Sequence, residues 1–257
     1  MEFRILGPLE VVGDDGPIAV GARQQRLLLS LLVLNANRVV TTDRILEELW
    51  GDDALGKEKA LWVYISRLRS ALGEREVLVT RDHGYSLVVN AEEIDVNRFE
   101  SGVLAGRALI KDDPASASEL LSEALALWRG PALEEFAYED FAQTEIARLE
   151  ELRLGSQENR IEADLWLGLA GELVGELGAL HAANPTRERV VRQLMLALYR
   201  AGRQSDGLRA FERFRLRLGE EMGLDPSPEL RLLEEQILLH DSRIQSLEPA
   251  SRSSATA

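Results

Sequence analysis

No cysteine occurs among the 257 residues, which excludes disulfides, thiolate metal sites and cysteine nucleophiles. Histidine is nearly as scarce. His83, His181 and His240 fall in separate segments, with no neighbouring pattern typical of a zinc site or a catalytic triad. No apolar run is long enough to span a bilayer, since the richest, Leu27 to Leu34, is interrupted by Ser30. The start, Met1-Glu2-Phe3-Arg4, leads into strand-like alternation rather than a basic region and an apolar core, so no signal peptide is expected. Together these absences predict a soluble cytoplasmic protein with no metal, no cofactor, no catalytic residues and no membrane partner.

Positive charge is also in short supply: 30 Lys+Arg face 44 Asp+Glu, for a net charge of −14. Its distribution is uneven. Through Ile94 the balance is 11 basic against 15 acidic residues, net −4, and the remainder carries net −10. Lysine occurs only at 57, 59 and 111, so arginine is the main cation, which suits bidentate contacts to bases or phosphates. Within Lys57 to Leu72 four basic residues face Glu58 alone. Binding to nucleic acid must therefore rest on a local patch, be strongly salt-dependent and call for a second subunit.

That patch has helical order. In KEKALWVYISRLRSAL, residues 57–72, Leu61, Ile65, Leu68 and Leu72 recur at i, i+4, i+7 and i+11 and form a stripe for a core. The opposite face carries Lys59, Val63, Ser66, Arg67 and Ser70, with Arg69 at its edge. Such a face suits a DNA major groove, where Arg and Lys reach guanine or phosphates and Ser reaches either. Gly73 ends the helix, and Glu76 to Asn90 reads as two strands around Arg81-Asp82-His83-Gly84. A hairpin placed there can lay Arg81 into the adjacent minor groove.

Val63-Tyr64-Ile65-Ser66-Arg67-Leu68-Arg69, followed by Gly84-Tyr85, resembles the winged helix-turn-helix of OmpR-type, two-component effector domains. The longer string from Leu6-Gly7-Pro8-Leu9 through Leu49-Trp50-Gly51 is similar to the SARP transcriptional regulators, the Streptomyces antibiotic regulatory proteins. The resemblance implies base or phosphate contacts from Lys59, Tyr64, Arg67 and Arg69, and a wing contact from Arg81; Ser66 and Ser70 share the same face. Trp62 lies to the side, where packing against the sheet or the preceding helix is favoured over stacking on a base.

Taken in order, Glu2 to Val12 and Pro17 to Val20 read as strands joined at Asp14-Asp15-Gly16. Arg23 to Leu34 reads as a helix ended by Asn35 to Asn37, and Thr41 or Thr42 caps a second helix, Asp43 to Trp50. From Asp95 onward long Ala/Leu/Glu/Arg helices take over. Leu173, Leu177, Leu180 and Pro185 match tetratricopeptide signature spacing, and a period of 34 carries them onto Gly207, Phe211, Phe214 and Gly219, with Leu194, Met195 and Leu198 in the helix between. An earlier unit is placed on Leu104, Ala105, Ala108, Ala117, Leu121 and Ala124, followed by an insertion around Pro131 to Leu152. Adjacent units of this kind stack around a shared core. Pro228 opens a last helix running to about His240, and the Ser/Ala-rich end has little to bury.

Ala126-Leu127-Trp128-Arg129-Gly130, Leu198-Tyr199 with Gly202-Arg203, and Gly223 through Leu230 resemble motifs of the bacterial transcriptional activation domain that follows the winged helix in SARPs. The expected fold class is mainly α, an N-terminal winged helix-turn-helix (α+β) followed by an all-α tetratricopeptide-like repeat domain. The expected divisions are 1–94 for DNA binding, 95–242 for activation and 243–257 as a disordered tail.

Three bland readings displace sharper ones. Gly51 to Glu58 approaches a phosphate-binding loop, but Glu58 replaces the magnesium-binding hydroxyl and aspartates occupy the cradle, so a helix-helix connection is expected. The acidic pairs Glu47-Glu48, Asp52-Asp53 and Glu134-Glu135 are read as solvated faces. Gly171, Gly175 and Gly178 have the wrong spacing for a dinucleotide site. The resemblance implies a non-enzymatic activator that binds promoter direct repeats as a homodimer and recruits RNA polymerase holoenzyme through its sigma factor, commonly at antibiotic biosynthetic clusters in the nucleoid. Asp52, Asp53, Leu55 and Lys57 mark the loop for the polymerase contact, although Ala54-Leu55-Gly56-Lys57-Glu58 departs from the Pro-rich family pattern. A protein-interaction adaptor and a promoter-occluding repressor are the alternatives.

Overall fold

The computed structural model describes residues 1–73 and 77–245, in two compact units. The first comprises residues 1–103 and 123–154, the second residues 104–122 and those from 155 onward. Among the described residues no helix is long and apolar enough to cross a membrane. The architecture is a winged helix-turn-helix followed by a helical repeat domain.

The first unit opens with an antiparallel sheet of β1 (Glu2–Arg4), β2 (Glu10–Gly13) and β3 (Gly16–Ile18), in which Val11 faces both Phe3 and Ile18. The sequence predicts one strand over Glu2 to Val12, and the structure breaks it between Arg4 and Glu10. Tertiary hydrogen bonds account for the break. The N–H groups of Ile5 and Leu6 donate to the buried Asp95 carboxylate at 2.9–3.0 Å, while the Leu6 and Ile5 carbonyls accept from the N–H groups of Arg129 (2.8 Å) and Leu133 (2.9 Å). Gly7, at φ +144°, and Pro8, which has no N–H to offer, complete the departure from a ladder. Leu6-Gly7-Pro8-Leu9 is thus held by Trp128-Arg129-Gly130 and its surroundings; Arg129 also donates to the Pro8 carbonyl at 3.0 Å.

Helix α1 (Arg23–Leu34) buries Leu27, Leu28, Leu31 and Leu32. After β4 (Val40–Thr41), the Thr41 hydroxyl accepts from Arg44 N–H at 3.3 Å and caps α2 (Thr42–Trp50), as the sequence predicts. A 3-10 turn over Gly51–Asp53 makes the glycine loop a helix-helix connection. Helix α3 (Glu58–Ala71) is followed by β5 (Leu78–Arg81) and β6 (Gly84–Leu87), which join β4 in the order β4-β6-β5. The predicted first strand starts at Glu76, but residues 74–76 lie outside the described residues and β5 begins at Leu78.

Helices α4 (Asp95–Leu109), α5 (Pro114–Leu125) and α6 (Asp140–Trp166) follow. Within the first unit Phe99 meets Trp128 edge-on at 5.4 Å, and the Arg153 guanidinium lies 4.5 Å from the Trp128 ring centroid. In the second unit Gly106 of α4 crosses α5 so closely that a Cβ there would come within 2.7 Å of Leu121. This crossing corrects the register predicted for the earliest repeat. Ala117, Leu121 and Ala124 are buried, but Leu104, Ala105 and Ala108 point to solvent, and Leu104 is 73% exposed. Glycine, rather than an alanine, supplies the close contact.

The rest of the second unit is α7 (Ala170–Ala183), α8 (Glu188–Arg200), α9 (Gln204–Met222) and α10 (Pro228–Leu238). Leu173, Leu177, Phe211 and Phe214 enter one core with Val190, Met195 and Ile237. The 34-residue period is therefore physical, because equivalent positions of α7 and α9 point at the same core. Gly219, the fourth position of the second unit, is exposed within the continuing α9. The last predicted helix stops at Leu238, and Ser242–Gln245 adds a helical turn, α11, across the start of the expected tail; residues 246–257 lie outside the described residues.

Candidate nucleic-acid interface

Helix α3 is fixed by its apolar stripe. Leu61, Ile65, Leu68 and the adjoining Leu72 are at most 2% exposed, which turns Lys59, Val63, Ser66, Arg67 and Ser70 outward, and all five are exposed. Lys59, Arg67 and Arg81 form no ion pair among the described residues, so their charge is available to a ligand.

The two flanks of α3 are occupied differently. Arg69 donates from Nε to the Leu78 carbonyl at 2.9 Å and from Nη2 to Thr80 Oγ1 at 2.7 Å, which fastens α3 to β5. On the other flank the half-buried Tyr64 stacks on Trp50 of α2, with ring centroids 5.7 Å apart and planes 16° apart. Both residues position the helix. Trp62 is 60% exposed, against the expectation that it packs on the sheet or on α2. The Trp50 ring is already taken by Tyr64.

The hairpin after α3 is tied down at both ends. Thr42 N–H donates to the His83 carbonyl at 2.9 Å near the tip, and Asn37 N–H donates to the Leu87 carbonyl at 2.7 Å near the base. Between them β6 passes so near β4 that a Cβ on Gly84 would sit 2.0 Å from the Val40 oxygen. Arg81, Asp82 and His83 remain exposed at the tip. On the opposite side of α3 in sequence, Asp52 and Asp53 are exposed, Leu55 is 95% exposed, and Lys57 immediately precedes the helix. Among the described residues no group of three or more His, Asp or Glu is arranged to hold a metal ion.

Residues 17–87 match the model of the C-terminal domain of transcriptional regulatory proteins, and residues 94–238 match the bacterial transcriptional activator domain. The chain belongs to the SARP family of transcriptional regulators. Within that family it is 38% identical to the regulatory protein DnrI of Streptomyces peucetius, over 95% of this chain and 94% of DnrI. It is also 38% identical to the regulatory protein AfsR of Streptomyces coelicolor, over its whole length but only 26% of AfsR, so it spans about a quarter of that relative. A solved structure of Mycobacterium tuberculosis EmbR in complex with a low affinity phosphopeptide superposes with a TM-score of 0.88 at 33% identity, covering 95% of this chain and 68% of that one.

Proposed function

We propose that this SARP-family regulator activates transcription by binding promoter direct repeats as a homodimer and recruiting RNA polymerase holoenzyme through its sigma factor, at an antibiotic or other secondary-metabolite cluster. The observation that carries the DNA-binding step is the exposed arc of α3, where unpaired Lys59 and Arg67 stand with Ser66 and Ser70 on a chain that is otherwise strongly acidic. Lys59, Ser66, Arg67 and Ser70 enter the major groove and Arg81 enters the neighbouring minor groove. Tyr64 and Arg69 hold the helix at the angle this requires, with any contact of their own at its margins. Direct repeats on one face of the duplex bring two such helices into successive major grooves.

The functional division is 1–94 for DNA and 95–242 for activation. Recruitment is a matter of linkage: a favourable protein contact adds free energy to polymerase binding only when both occupy adjacent DNA. The loop carrying Asp52, Asp53, Leu55 and Lys57 is the surface assigned to that contact, since a leucine almost wholly in solvent between acidic and basic neighbours suits a partner protein. The protein acts in the cytoplasm, at the nucleoid. Footprinting on cluster promoters tests the reading: protection of two same-strand repeats supports it, and uniform coverage without register contradicts it.

A further inference from the structure

Helix α3 turns through about 100° per residue, so the buried stripe of Leu61, Ile65 and Leu68 has its opposite pole at Val63 and Ser70. Lys59 and Ser66 lie to one side of that pole and Arg67 to the other, each within about 60° of it. Of the two pole residues, Val63 belongs to the N-terminal half of Glu58–Ala71, the half that a recognition helix sends to the base edges. The middle of the arc is therefore an apolar side chain among hydroxyls and cations.

Nothing inside the chain calls for valine there. Val63 is 46% exposed and lies outside the buried stripe, and a β-branched residue on an exposed helix face is a poorer helix former than alanine. Trp62, also exposed, stands about 100° further round, at the margin of the arc. The apolar area at the pole is that of one side chain, too little for a protein partner to dock on and matched to one methyl group.

In the major groove guanine, cytosine and adenine offer only hydrogen-bonding groups, whereas thymine adds a 5-methyl group beside its O4 acceptor. Valine set against the amino group of cytosine or adenine, or against the acceptors of guanine, strips water from a polar atom and returns no hydrogen bond. Against thymine it buries a methyl group on its own γ-methyls, while Lys59, Ser66 and Arg67 reach the polar atoms around it.

We propose that Val63 reads the 5-methyl group of a thymine in each promoter repeat, as a specificity contact at the centre of the α3 arc. The inference rests on the proposed DNA interface and adds to it the identity of one base.

Anisotropy with the full chain and a footprinted fragment from upstream of its own gene tests it. Thymines inside the protected repeats are replaced one at a time by deoxyuridine, which keeps the pairing and lacks only the methyl group. One position in each repeat is expected to weaken binding about fourfold, the value of one methyl group taken out of water, while the remaining positions leave it unchanged. In Val63→Ala, which lacks the γ-methyls, that position should no longer distinguish thymine from deoxyuridine. Val63→Thr keeps one γ-methyl and should restore part of the distinction; the melting temperatures of both variants should match the parent's. No sensitive position, or the same loss in Val63→Ala as in the parent, would overturn the assignment to Val63 and leave the DNA interface standing. Absence of sequence-specific binding by the parent to any promoter fragment would instead overturn the interface, and this inference with it.

Discussion

Arg67 and Arg69 are two residues apart and chemically identical, yet their surroundings give them different work. Arg67 is exposed and unpaired, while Arg69 spends two donors on β5. Arg67→Ala should weaken promoter binding by about 1–3 kcal/mol without changing the melting temperature. Arg69→Ala should instead destabilise the fold by about 1–2 kcal/mol, because the Leu78 carbonyl and Thr80 lose their donor. Anisotropy and thermal denaturation on the two variants separate these outcomes; full affinity in Arg67→Ala would remove Arg67 from the contact set. The sequence marked both arginines but could not divide them, since the partner of Arg69 sits in another element.

Glu135 ties α1 to the Leu9 backbone. Its carboxylate accepts from Arg26 Nε at 2.6 Å and from Leu9 N–H at 3.1 Å, and the Arg26 hydrogen bond is the largest influence holding its carboxyl below the ordinary range. A carboxyl lowered by folding stabilises the native state above its unfolded value, about 4.3, and loses that contribution as the pH falls through the folded value. Glu135→Gln should cost about 1 kcal/mol at pH 7, the size of a well-aligned, partly exposed ion pair, and the gap from the parent should shrink below about pH 4 in urea denaturation. The comparison must be between variants. Asp95 runs the other way: burial raises its carboxyl, so its ionisation costs the native state stability as the pH rises through that raised value.

At the scale of elements, legibility followed the range of the forces. Helices α1 and α3 and the β5–β6 hairpin were readable because each obeys a local rule: an apolar stripe at i, i+4 and i+7, or two extended runs around a turn. The predicted strand over Glu2 to Val12 failed because Asp95, Arg129 and Leu133 claim backbone groups that a ladder would have used. In the earliest repeat α5 turns Ala117, Leu121 and Ala124 inward as the spacing predicts, whereas the predicted α4 positions face solvent because the close approach to Leu121 is made at Gly106. Gly84 is the element most sensitive to one added carbon. Gly84→Ala places a Cβ against the Val40 carbonyl and must push β6 off β4, at a cost of about 1–3 kcal/mol. A lower melting temperature together with reduced promoter affinity is expected, because the displaced wing carries Arg81.

For the whole molecule, the folding unit around the winged helix is larger than the segment proposed to face DNA. Residues 123–154 share that unit, and through Arg129, Leu133 and Glu135 they hold Ile5 to Leu9. A fragment ending at Ile94 should therefore unfold at a lower urea concentration than the same region of the full chain, followed by Trp50 and Trp62 fluorescence; equal midpoints would contradict this account. With −14 overall, non-specific attraction to DNA is weak, so the proposed function requires affinity from the α3 arc, the wing and a second subunit.

The most direct test is equilibrium binding of the purified protein to the promoter region upstream of its own gene across a salt series, with and without RNA polymerase holoenzyme. Sequence-specific binding whose logarithm falls linearly with the logarithm of salt, and which holoenzyme strengthens, is the predicted result. Binding that excludes polymerase would make the protein a repressor, and no preference for any promoter fragment at low salt would contradict the account at its centre.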